Sequence, residues 1–362
     1  YAVNNQPREG LKRLPLEALT GELMSLPVFN ELASAFGFCE VIPTDLPPIG
    51  SIRRTGTERH PRSKNGFISS FPDGGALIGN WENDLRAVFS TATGKKLTRR
   101  ERELIRQKVR EAEQDRRHEE NRRHEGTAQK VRSFFDSDLG VYPTLSMEGH
   151  GMDRHPYLQG KAVEPTGMIF ECTKENFEAF FGENYQRLPH GRLLVFPLFH
   201  DGELVSIQLI DEQGKKHFLK DGLLKGAYWQ ATRAEKDGQG APIVAISEGV
   251  ATLLSVMEHS KRAGLFVASM NAGNLLSVAQ SMKHRFPDRE IFVYADSDQA
   301  HDGQRYGIGV LKAQKAQSSI EGIRILVPPF TQPDVETFRA ITGSAKAPTD
   351  WNDYYRIWEA KQ

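Results

Sequence analysis

Ile243-Val244-Ala245-Ile246-Ser247-Glu248-Gly249 and, further along, Ile291-Phe292-Val293-Tyr294-Ala295-Asp296-Ser297-Asp298 are apolar runs that each stop at acid. Runs of this length and composition read as strands, and helical stretches surround them at Val250–His259, Leu275–Phe286 and Gly307–Gln317. Gly264–Ser269 and Ile323–Val327 add two further short strands. Strands alternating with helices over such short connections predict a parallel sheet in an α/β domain. In sheets of that kind, sites lie at the carboxyl ends of the strands. Glu248, Asp296 and Asp298 fall in that position. A third acidic group, Asp350-Trp351-Asn352-Asp353, follows what reads as an irregular stretch after the fourth strand.

An Asp-x-Asp pair directly after a strand aims two carboxylates at one hard cation. Mg²⁺ takes few protein oxygens and keeps waters for substrate phosphates. A nearby Glu can move a proton at the attacking or leaving oxygen. Metal plus general acid or base is the minimum kit for phosphoryl transfer. Taken singly, each piece has a plain reading: the Asp-x-Asp a solvated turn, the Glu-Gly an ordinary strand end. The ordered set in one α/β frame points to function.

Upstream, Leu193–Phe199 and Leu204–Ile210 are strands joined by an Asp201-Gly202 turn. A second turn at Asp211–Gly214 leads into Lys215–Leu219, which completes a three-stranded meander with lysines on its third strand. Before it lies a charged helical segment with Thr98 and Glu101 as a capping box and Gly126 as a stop. This segment is either a solvated helix laced with i,i+4 ion pairs or a linker that guides nucleic acid. Residues 10–45 read as two short helices interrupted at Pro27, and Pro43–Gly50 as a connector. Ile52 to Phe89 reads as short strands and turns, with Pro72-Asp73-Gly74-Gly75 as one turn. The organisation expected is a helical then β-rich module over 1–96, a charged linker helix over 97–134, a mixed β-rich subdomain with the meander over 135–240, and the parallel α/β domain over 241–362. The class is α/β at the C-terminus and α+β overall.

Composition bounds the function. With 362 residues, two or three domains are expected. Lys and Arg number 47 against 47 Asp and Glu, which argues against a globally basic nucleic-acid binder. The balance is not local, however. Ser51 to Gly66 holds Arg53, Arg54, Arg59, Arg62 and Lys64 against Glu58 alone. This patch suits electrostatic tracking of a single strand, with Phe67 or Trp81 as stacking faces; an idle basic loop is the plain alternative. No run approaches the roughly 18 apolar residues of a membrane span. The start, Tyr1-Ala2-Val3-Asn4-Asn5, is not a secretory signal and lacks Met, as in a processed or excised piece of a longer chain. Cys39 and Cys172 cannot form a Cys/His zinc site, and the cell interior is the compartment expected.

Glu248-Gly249 followed by Asp296-Ser297-Asp298 resembles the TOPRIM domain shared by bacterial-type primases, topoisomerases and certain nucleases. Ile246–Thr252, Val267-Ala268-Ser269 to Gly273-Asn274-Leu275, and Thr349–Asp353 are similar to the branch found in primases of conjugative plasmids and mobile elements. His155-Pro156-Tyr157-Leu158 and Gly191–Leu198 resemble that branch's segment before its TOPRIM domain. The resemblance implies a DNA primase that joins nucleoside triphosphates on a single-stranded DNA template, with Mg²⁺ or Mn²⁺ and no zinc. It implies Glu248 as the proton-transfer group and Asp296, Asp298, Asp350 and Asp353 as metal ligands. Lys216, with Arg192 and Lys225, would hold template or nucleotide phosphate. Asn274 would touch nucleotide or close a turn, and Arg53, Arg54, Arg59, Arg62 and Lys64 would hold DNA. A cytoplasmic protein without membrane attachment is expected, with a replicative helicase or replisome component as partner in trans. Departures from cellular primases are Thr252, where those carry an extra Asp, and the lack of a zinc-ribbon set and of a C-terminal helicase-contacting bundle within these 362 residues. A TOPRIM nuclease and a non-catalytic single-strand binding or loading factor are the competing functions. His155 reads as a turn or helix-start residue, and Tyr157 as packing instead of a nucleophile.

Overall fold

The structure is a computed structural model. It describes residues 52–58, 60–62, 64–70, 76–80, 85–89, 99–137, 141–143, 154–182, 188, 191–234, 241–297 and 307–362. The helices expected before residue 51, the capping box at Thr98, the turn at Pro72–Gly75, and Arg59, Trp81 and Asp298 lie outside the described residues. The chain divides into two compact units, residues 1–119 and 120–362.

In the first unit, β1 (Ile52–Thr55), β2 (Gly66–Ser70), β3 (Ala76–Asn80) and β4 (Leu85–Phe89) form an antiparallel sheet in sequence order. Phe67 is buried, and a β-carbon on Gly79 would stand 2.2 Å from its ring. That ring therefore packs closely against the neighbouring strand and, being buried, offers no stacking face, which corrects the expectation for Phe67.

Helix α1 (Arg99–Phe135) begins in the first unit and ends in the second. It runs through Gly126, where a stop was expected. Glycine inside a helix costs about 1 kcal/mol. Ala128, Val131 and Phe134 beyond it are buried, and a fully buried side chain of the size of Val131 or Phe134 contributes about 1.5–3 kcal/mol. Docking outweighs propensity there.

The second unit holds two five-stranded sheets. The first, in the order β5-β6-β7-β8-β9, contains β5 (Tyr142–Pro143), β6 (Phe170–Thr173), β7 (Arg192–His200), β8 (Glu203–Asp211) and β9 (Lys216–Phe218), all antiparallel. One face, with Leu193, Val195, Ile207 and Leu209, is covered by the end of α1 and by α3 (Lys174–Phe181) through Val131, Phe134 and Phe177. Leu194, Phe196, Leu198 and Ile210 on the other face join the core of the second sheet. Helix α2 (Pro156–Lys161) precedes β6; His155 caps it by accepting from Tyr157 N at 3.2 Å, while its Nε2 donates to Arg192 O at 3.2 Å.

The second sheet has the order β10-β12-β11-β13-β14, from β10 (Trp229–Arg233), β11 (Ile243–Ser247), β12 (Gly264–Ala268), β13 (Ile291–Tyr294) and β14 (Ile323–Leu326). β11 to β14 are parallel, as the alternation predicts, and β10 adds antiparallel to β12. Every residue of β11 and β12 is buried, which explains their unbroken apolar texture. Gly264 is obligatory at their start. Its φ is +153°, and a β-carbon there would lie 2.1 Å from Ile243 O. Helix α4 (Val250–His259) and α8 (Trp351–Ala360) lie on one face; α5 (Leu275–Arg285) and α6 (Ile308–Ser319) cover the other.

The stretch after β14 is not irregular, as expected from its sequence. It forms α7 (Gln332–Thr342), whose only buried side chain among those described is Phe338, so the apolar period that announces a helix is weak. Capping carries the start instead: Asp334 Oδ2 accepts from Thr331 N at 2.7 Å and Thr331 Oγ1 at 2.6 Å. Lys361 Nζ reaches Asp334 Oδ1 at 2.5 Å and, with Thr331, holds that carboxyl down to about 2. A depressed carboxyl stabilises the fold above its unfolded value of about 3.9 and loses that contribution as pH falls through about 2. Asp334→Ala is expected to cost about 1 kcal/mol at neutral pH, discounted for the exposure of Lys361. Urea melts of both proteins should converge near the acid end; a gap independent of pH would remove the ion pair as its cause.

Candidate active site

The carboxyl ends of β11 and β13 are neighbours. Ser247 pairs with Tyr294, so Glu248 and Asp296 leave adjacent strands about 4.8 Å apart in the sheet. Local hydrogen bonds shape the Glu248 turn. Ser247 Oγ donates to Gly249 O at 2.9 Å, and Ser269 N, from the end of β12, donates to Ser247 O at 2.9 Å. Gly249 is the N-cap of α4, which puts Glu248 beside a helix N-terminus, where a negative charge is favoured. Glu248 is half-buried, as is Asp296.

Asp296 is held from two sides. A β-carbon on Gly309 in the first turn of α6 would lie 2.7 Å from Asp296 O, so only glycine lets α6 approach. On the other side Ser297 N donates to Thr349 O at 2.6 Å. That bond brings the Thr349–Asp353 turn alongside the β13 loop. Asp350 is the N-cap of α8, its Oδ1 accepting from Asp353 N at 2.9 Å, and Asp353 Oδ2 accepts from Thr349 N at 2.9 Å. Burial first, and the charge of Asp350 second, push the Asp353 carboxyl up. Asp350 and Asp353 therefore build the turn that flanks Asp296.

Two lysines reach this end of the sheet. Lys216 is exposed on β9, opposite Ile210 and so on the face turned to the second sheet. A β-carbon on Gly249 would stand 3.7 Å from its Nζ, which places the ammonium over the Glu248 turn. Lys161, at the end of α2, has Nζ 3.8 Å from Asp350 Oδ2. Sequence reasoning passed over Lys161; the signal was its place three residues after the His155–Leu158 segment. Tyr157 on the same helix is pushed upward by burial and by Asp350, and packs against Gly214, in keeping with a packing role.

Two other candidates are tied up elsewhere. Arg192 lies on the same sheet face as Lys216, but Glu171, itself buried, engages its guanidinium through Nε and through Nη2 at 3.1 Å. Asn274 is buried: Oδ1 accepts from Gly226 N at 2.7 Å, and Nδ2 donates to Ala227 O at 2.7 Å and Ser269 O at 3.0 Å. Its amide clamps the turn that carries Lys225, which is exposed. In the first unit Arg54, Arg62 and Lys64 are exposed and Arg53 is half-buried. Arg54 Nη1 donates to Lys64 O at 3.4 Å.

Among the described residues no three His, Cys, Asp or Glu side chains converge as a ready cation site. Glu248 and Asp296 nevertheless offer oxygen donors from adjacent strand ends, and oxygen-only sets with one or two carboxylates fit Mg²⁺. Also among those residues, no helix is long and apolar enough to cross a membrane.

Residues 243–357 match the Toprim domain family, so the C-terminal part of the chain is a Toprim domain, as the acidic strand ends anticipate. Two Escherichia coli proteins, both named DNA primase TraC, are related in sequence. One is 33% identical over 123 residues, 34% of this chain and 11% of that protein. The other is 28% identical over 186 residues, 51% of this chain and 11% of that protein. The chain thus spans about a tenth of the length of these curated relatives. A solved bacteriophage T7 assembly, a lagging-strand DNA polymerase interacting with primase domains of two gp4 subunits bound to an RNA/DNA hybrid and dTTP, superposes with TM-score 0.28. Its sequence identity is 16%, over 38% of this chain and 67% of that one.

Proposed function

We propose that this protein is a DNA primase that makes short primers on single-stranded DNA by metal-dependent nucleotidyl transfer. The observation that carries the reading is the side-by-side exit of Glu248 and Asp296 from neighbouring parallel strands, with the Lys216 ammonium above them. The relationship to two proteins named DNA primase supports it. In this reading Asp296 and Asp298 hold Mg²⁺, Asp350 completes the acidic set, and Asp353 fixes Thr349 beside Ser297. The bound cation supplies positive charge at the triphosphate. Glu248 takes the proton from the attacking 3′-hydroxyl as the bond to the α-phosphorus forms and pyrophosphate leaves. Lys216 neutralises phosphate charge at the same turn. Lys225, on its exposed turn, and Arg192, to the extent that Glu171 releases it, extend that positive face. Arg53, Arg54, Arg59, Arg62 and Lys64 contact the template backbone, and a helicase or replisome component acts in trans in the cytoplasm, in service of a plasmid, phage or other mobile element.

The test is synthesis on single-stranded DNA of mixed sequence with labelled nucleoside triphosphates and Mg²⁺ or Mn²⁺. Short labelled products that vanish in Asp296→Asn support the reading. Shortening of the template by the wild type would replace it with a nuclease on the same acids. Template binding with neither reaction would replace it with a loading factor.

A further inference from the structure

At the opposite end of the parallel sheet lies a second cleft, of about 360 Å³, within the usual range of about 300–1,000 Å³ for ligand sites. Its floor is the edge strand β10. Trp229 and Ala231 turn one face of that strand into the apolar core, whereas Gln230 and Thr232 turn polar groups to the other. The end of α5 overhangs this polar strip with Arg285, Phe286 and Arg289, and Arg233 closes the rim.

The three arginines are held in different ways. Arg233 donates to Met257 O and to Glu258 O at 3.2 Å, and so answers the carboxyl end of α4. Arg285 Nη1 donates to Tyr228 Oη at 2.9 Å, so a buried ring aims it and the helix's own carbonyls do not. Arg285 and Arg289 both lie over the Phe286 ring, at 5.2 and 4.4 Å from its centre. Two guanidiniums on one aromatic plane offer cationic and stacking faces together, the pairing that suits a nucleotide unit. The floor adds a third requirement. Among the described residues Gln230 Oε1 is buried without a hydrogen-bond donor, so a turn of this amide toward the cleft it lines would let it accept an N–H such as a nucleobase carries.

We infer that this cleft binds the phosphate and base of a nucleotide unit, separately from the Glu248–Asp296 turn. Arg285 and Arg289 take the phosphate, and Gln230 receives a base N–H. The ligand is either a free nucleoside triphosphate or one unit of a nucleic-acid strand, and the two sources can be told apart.

The experiment uses the full chain with Glu248→Gln, in EDTA, so binding is read without turnover. A short fluorescein-labelled oligothymidylate and N-methylanthraniloyl-ATP are titrated in parallel by anisotropy. Arg285→Ala/Arg289→Ala should weaken one of the two probes by at least about tenfold. Loss of the oligonucleotide alone, with the salt dependence falling by about 0.7 per lost phosphate contact, assigns a strand. Loss of the nucleotide alone assigns the free ligand. Arg289→Glu, which leaves the Tyr228 contact intact, repeats the measurement should the double variant not fold. Unchanged titrations overturn the inference, and so does an equal loss in Lys312→Ala, a charge removed from exposed α6.

Discussion

Glu248→Gln should lower primer synthesis by about 10²–10⁴-fold, the range lost with a positioned general base. Glutamine keeps the shape of the side chain and removes its ability to accept a proton as an anion. The surroundings argue that the fold tolerates the change. Glu248 is half-buried, and the turn around it is set by backbone and serine bonds: Ser247 Oγ to Gly249 O, and Ser269 N to Ser247 O. Thermal melting should therefore move little, by the equivalent of about 0.5 kcal/mol or less. The loss should appear in turnover more than in KM, because the proton moves in the transition state and not on binding. Single-turnover rates at saturating nucleotide measure this directly. Synthesis within a few-fold of wild type would take the proton-transfer role away from Glu248.

The strand-helix alternation of the Toprim domain was legible because β11 and β12 are buried on both faces, so burial prints itself as an unbroken apolar run. The acids ending β11 and β13 were legible for the same reason. A charge that stops such a run can only sit at its end. The polar architecture around them was not legible. Asp350 and Asp353 read as ligands in a string of letters; that Asp350 also caps α8, that Asp353 accepts from Thr349 N, and that Ser297–Thr349 sets this turn beside Asp296 shows only in the structure. No local pattern announces a contact made across half a domain. Arg192 and Glu171 show the same limit: their pairing joins β6 to β7 and depends on register. Lys161 owes its place to α2, a helix too short to carry a period. β10 was missed because an antiparallel edge strand need not alternate with a helix.

Asn274→Ala should destabilise the protein by about 3 kcal/mol, because one side chain satisfies three buried backbone groups. Its loss strands Gly226 N–H and Ala227 C=O, and a buried group left unmade costs about 1–3 kcal/mol. Ser269 O loses a third bond, while Ser269 keeps its own donation to Ser247 O. Asn274→Asp should be worse than alanine. It turns an oxygen toward the carbonyls of Ala227 and Ser269, where the amide now donates, and repulsion adds to the missing bonds. The pair of variants separates a clamp from a nucleotide contact. A clamp predicts a fall in melting temperature in the order wild type, Ala, Asp, with nucleotide KM nearly unchanged at temperatures where the variants remain folded. A contact predicts the reverse, with KM raised and melting preserved. The clamp also has a consequence at a distance, since Gly226 and Ala227 end the turn that bears Lys225. Hydrogen exchange should therefore speed up in the Lys220–Ala227 stretch of Asn274→Ala before it does so in β11, whose amides pair on both sides within the sheet.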